Sequence, residues 1–143
     1  LSIPMLEAIE VVATDPIFAQ VAGVIAADET YHAHFGWETL ELLGERLEEG
    51  QRDQIQGRLP GLFAHFEATC CGGPEPLEAL AETEVVIEPG DPTEEPNLGT
   101  LTDMQYAAIF YHVIEVRLMP GLESLGFDPV QAWHERPRKD EAG

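Results

Sequence analysis

Basic side chains are scarce in this sequence: 7 Lys and Arg stand against 27 Asp and Glu in 143 residues, a formal net charge of −20. That balance excludes nucleic acid as a partner, because holding a phosphate backbone takes clustered Lys and Arg. It argues against anionic membranes on the same ground. No apolar run reaches the roughly 18 residues of a membrane span. No signal peptide is visible, but the chain opens on Leu1 rather than Met, so the natural start and any targeting segment are expected upstream. Serine is confined to Ser2 and Ser124, with no nucleophile elbow around either, and there is no Gly-rich phosphate loop. Cysteine is limited to the adjacent Cys70 and Cys71. Neighbouring cysteines pair with each other only under strain, and no second pair exists to build a zinc site. Two reduced thiols at a helix end are the simplest expectation; a disulfide to another chain is the alternative.

Hydrophobic residues make up 44% and aromatics 8%, enough for a packed core in one domain spanning 1–143. The local signals are helical. "PMLEAIEVVAT" (4–14) has apolar residues at helical spacing and stops at Thr14-Asp15-Pro16, where a capping side chain and a proline restart a helix. That second helix is predicted over about 16–48. A third is expected across 51–71, split near Pro60-Gly61. Residues 72–101 are rich in proline and acids and read as an irregular loop holding one short helix, "PLEALAET", and an extended "EVVIEP". A last helix is predicted over 103–126, broken at Pro120-Gly121, with a frayed tail "RPRKDEAG". No strand pattern suffices for a sheet, so the predicted class is all-α.

The second helix carries the chemistry. From Val21 and Ile25 its stripe, stepping by three and four, meets Glu29, His32 and Gly36 before resuming at Leu40 and Leu43. Glu29 and His32, three apart, point the same way about one turn apart, so a carboxylate oxygen and an imidazole nitrogen can reach one cation. Carboxylates bridge and neutralise cations, while imidazole is a neutral ligand for iron, manganese or zinc. Glu-x-x-His on inward-facing helices is the ligand pattern of dimetal carboxylate bundles. Asp28 adds a carboxylate able to orient the histidine of an opposing helix. The stripe predicts that Glu29 and His32 face the core, where unpaired charges would be costly. His34 falls off the stripe and is expected exposed or supporting. His65 and His112 are expected to pack in the core with one hydrogen bond each.

"VIAADETYHAHFGWETLELL" resembles the last ligand-bearing helix of ferritin-like proteins, in which D-E-x-x-H is followed by apolar residues. "ATDPIFAQV" and "LMPGLESLGFDPVQAWHER" are similar to segments of ferritin-like proteins from bacterial genomes. The resemblance covers about residues 1–50 and is weak beyond. It implies a four-helix bundle with a carboxylate-bridged dimetal site, two irons or manganese, doing oxidase or ferroxidase chemistry. Glu29 and His32 match its ligand positions and Asp28 its supporting position.

The pattern is incomplete here. The residues three before His65, His112 and His134 are Leu62, Ile109 and Gln131, so no second Glu-x-x-His exists. A hairpin turning at Asp15 should bring residue 1 or its neighbour opposite Glu29, while Glu7 and Glu10 fall short by roughly 9 to 14 Å at 1.5 Å rise per residue. The chain therefore reads as the C-terminal half of a ferritin-like bundle with extra helices. A missing N-terminal half, a second subunit or a symmetry mate would complete it, making an oligomer the expectation. Two facing helices alone would leave much apolar surface exposed. The alternative is a metal-free helical interaction subunit. A mononuclear zinc hydrolase would need three protein ligands, and only two can be named.

Overall fold

A computed structural model describes residues 1–91, 93 and 96–137, and all regular structure in that range is helical. Helix α1 (Ser2–Val12) and helix α2 (Pro16–Gly44) form a hairpin. The Asp15 carboxylate caps α2 by accepting from the backbone N–H of Ile17 at 2.8 Å and Phe18 at 3.3 Å, with Pro16 in the first turn. The α1/α2 turn is tied to the later loop, since Thr14 N–H donates to the Asn97 carbonyl at 2.8 Å. Asp15→Ala removes the α2 cap and is expected to lower the melting temperature, at about 1 kcal/mol. An unchanged melt would mean that the cap is replaced by solvent.

The predicted third helix is two. Helix α3 (Glu49–Gln56) ends at Gly57, and Pro60 sits in the first turn of helix α4 (Leu59–Cys71), where its missing N–H costs nothing. Gly72, at φ +75, ends α4 in the left-handed conformation that favours glycine. Helix α5 (Glu75–Glu82) is the short helix expected within 72–101. The stretch 84–89 forms no strand; Val86 accepts from the Gln105 side chain and Ile87 packs on α1. This loop seals the C-terminal end of α1, where Gly90 N–H meets the Val11 carbonyl, away from Glu29.

Helix α6 (Asp103–Val113) opens with a reciprocal cap. Thr102 accepts from Gln105 N–H, and the Gln105 side chain accepts from Thr102 N–H. It then passes into a π-helical turn (Ile114–Leu118) and continues as helix α7 (Met119–Ser124). The predicted break at Pro120 is thus a change of pitch. A proline cannot donate to, and its ring crowds, the carbonyl four residues earlier; a π turn is one way to pass it. Gly121 lies against the Trp37 indole of α2, leaving no room for a side chain. Gly121→Ala is expected to cost about 1–3 kcal/mol by overpacking, read as a lower unfolding midpoint. Helix α8 (Pro129–His134), capped by Asp128, has no counterpart in the sequence reading.

α6 joins the two halves of the core. Ile109 and Val113 pack with Ala8 and Val12 of α1 and with Leu101. Phe110 and Ile114 pack with Leu59 and Phe63 of α4 and Ala132 of α8. Each pair is spaced by four, so two adjacent rows of one helix serve two clusters.

Of the tail expected to fray, residues 138–143 lie outside the described residues, while its first residue, Arg136, is fixed. Arg136 and Glu67 are each 3% exposed, and the guanidinium meets the carboxylate with two hydrogen bonds of 2.8 and 3.0 Å. Tyr111 donates to the same carboxylate at 2.9 Å, and Arg136 stacks 3.7 Å over the Trp133 ring. Arg136 Nη1 donates to the Trp133 carbonyl at 2.6 Å, so no buried side-chain nitrogen or oxygen of the pair lacks a partner, which is the condition for burying charge.

Candidate functional site

α2 presents two unlike faces. Its buried residues are Ala22, Ala26 and Gly44, small side chains that let α1 and neighbouring segments approach closely. The large apolar residues lie elsewhere: Ile17, Val24, Tyr31 and Phe35 are 64–78% exposed, and Val21, Ile25, Leu42 and Leu43 are 44–54% exposed. The stripe expected to face the core therefore faces outward. The reason is steric: a short α1 packs closest against the alanine side, and the wide remainder of α2 is left uncovered. No helix of the described residues is long and apolar enough to cross a membrane.

Glu29 and His32 lie within this uncovered face. The His32 imidazole is 67% exposed and the Glu29 side chain 34%. His32 Nδ1 stands 3.4 Å from Glu29 Oε1, so the two donors converge as their spacing required. Ser2 Oγ donates to Glu29 Oε2 at 2.8 Å. Residue 2 thus sits opposite Glu29, the level at which the hairpin arithmetic placed a partner. Glu10 instead lies against Gly23, nearer the turn. Asp28 is exposed. His34 is exposed and pairs with Glu38 at 3.1 Å, a surface contact one turn on.

The hydrogen bond from Ser2, and then that from His32, hold the Glu29 carboxyl below its ordinary value. A depressed carboxyl is stabilising above its unfolded-state value and loses that contribution as pH falls through the folded one. Glu29 is therefore ionised at neutral pH and ready to ligate. Ser2→Ala is expected to move its titration upward toward the ordinary Glu range, read from the carboxyl carbon by NMR. A titration unmoved by that change would mean the serine contact does not persist.

No family model matches this chain, and neither does any curated protein or solved structure. The site must be judged on its own geometry. Among the described residues no three His, Cys, Asp or Glu side chains gather around one point. Glu29 and His32 fit a metal as two of its ligands, and the rest must come from outside this hairpin. His65 and His112 are exposed rather than in the core, and neither lies in such a group. Each follows a buried residue by two positions, Phe63 and Phe110, and so points about 200° around the helix from it. The buried group that the sequence reading missed is Glu67, four residues after Phe63 on the buried row of α4. A carboxylate at core spacing was its one local signal.

Proposed function

We propose that this chain is half of a ferritin-like, carboxylate-bridged dimetal protein, with Glu29 and His32 as its contribution to the ligand set. The observation that carries the reading is the convergence of Glu29 and His32 on a face of α2 that the described residues leave largely uncovered. A complete bundle would lay two further helices on that face. Those helices would bring the missing carboxylates and histidine to the same level, and Asp28 would orient the opposing histidine. They belong to an N-terminal half, a second subunit or a symmetry mate.

Iron, or manganese in its place, would supply activation of O2 or peroxide or the oxidation of Fe(II). This chain's residues have simpler tasks. Glu29 offers an ionised carboxylate, held by Ser2 until a cation competes for it. His32 offers a neutral imidazole nitrogen. The apolar rows on either side would exclude water once covered, strengthening the charge interactions between them.

Anaerobic Fe(II) titration of the assembled protein tests this. Wild type should bind about two irons per complete site, and Glu29→Ala and His32→Ala should each weaken binding on the order of tenfold or more. Equal binding by the variants would reject the ligand assignment. The second reading, a metal-free interaction subunit, rests on the same uncovered face and on there being no third ligand nearby among the described residues. It predicts no iron, and a Glu29→Ala variant as stable as wild type or more so.

A further inference from the structure

Away from α2, a cleft of about 450 Å3 opens between α1, the C-terminal end of α4 and the start of α6. Met5, Cys70, Cys71, Asp103 and Tyr106 line it. Both cysteines are free and partly buried. We propose that this cleft is a binding site for a monovalent soft cation, Cu(I), held by the Cys70 and Cys71 thiolates and the Met5 thioether. The claim is independent of the α2 site.

Three observations converge. Adjacent cysteines on a helix differ by about 100° in direction, and both line this one cleft at the last turn of α4. A third sulfur-bearing residue, Met5 of α1, lines the same cleft from another helix. Thiolate and thioether together form the donor set that selects Cu(I) over harder divalent ions. Zinc would require a fourth strong ligand, and no group of three His, Cys, Asp or Glu gathers among the described residues.

A bound Cu(I) displaces the proton from each thiol as its bond to sulfur forms. Copper stays in the +1 state, and no electron moves.

The experiment is an anaerobic titration of the reduced protein with Cu(I) against a chromophoric Cu(I) chelator, with copper-edge X-ray absorption on the product. One Cu(I) per chain with three sulfur neighbours is expected. Cys70→Ser and Cys71→Ser should each abolish competition with the chelator. Met5→Leu keeps the volume of the cleft wall, and should weaken binding on the order of tenfold or more and leave two sulfur neighbours. Absorption from wild type decides the sulfur count even if a serine variant fails to fold. No copper retained against the chelator would overturn the proposal. So would copper retained in the serine variants, which places it elsewhere, or a Met5→Leu protein with unchanged affinity and sulfur count.

Discussion

Arg136→Ala should destabilise the protein by about 3–5 kcal/mol, the penalty for leaving one partner of a buried ion pair alone. Glu67, 3% exposed, would lose both guanidinium hydrogen bonds and keep only the Tyr111 hydroxyl. Glu67→Ala should cost a similar amount, stranding the guanidinium and the phenol together. Tyr111→Phe should cost about 1.5–3 kcal/mol, a single hydrogen bond to a charged group. Replacing Glu67 and Arg136 together by apolar residues of similar volume should recover most of the loss, because no charge is then left buried. Urea unfolding of Glu67→Ala, Arg136→Ala and the Glu67→Ala/Arg136→Ala double variant measures the coupling as a cycle, with the volume-matched double variant beside it. Additive losses would mean that the pair is not coupled, and the bidentate geometry would then contribute nothing to stability.

The second large effect concerns assembly. Ile17, Val24, Tyr31, Phe35 and their neighbours on α2 leave exposed apolar side chains that together come to on the order of 1,000 Å2, judged from typical side-chain areas. Monomers seldom show patches above about 300–600 Å2, and a standard interface takes about 800 Å2 from each partner. Two aspartates on this face, Ile25→Asp with Phe35→Asp, should therefore break the assembly that the proposed function requires. Both positions are exposed, so the hairpin itself should keep its fold. Light scattering should show wild type at a multiple of the chain mass and the variant at the chain mass, with affinity lower by on the order of 100-fold or more. A wild type that runs as a single chain would leave the face uncovered in solution and remove the ground for a completed bundle.

The helices were legible because their ends are written locally. Asp15-Pro16 is a cap that needs no tertiary information, and the Pro60 split follows from the missing N–H. The level of Glu29 was legible too, because rise per residue fixes which residue of α1 stands opposite; Ser2 stands there. The orientation of α2 was not. Periodicity shows that a row is apolar, but not whether its own chain or another covers it. Here Ala22 and Ala26 permitted the closest approach, so the small side went inward and the large side outward. His65 and His112 face solvent for a related reason: each stands two positions after a buried residue, Phe63 or Phe110, and two positions turn a side chain by about 200°. The Glu67–Arg136 pair joins residues 69 apart, and no local pattern in an acid-rich chain marks one carboxylate as buried.

The central claim is that Glu29 and His32 are part of a shared metal site on a face of α2 that something else covers. The most direct test is metal content by mass spectrometry on protein purified intact, together with the mass of every chain in the assembly. The account predicts about two iron or manganese ions per complete bundle, in a complex holding a second copy or a partner chain. A lone 143-residue chain carrying no metal would contradict it.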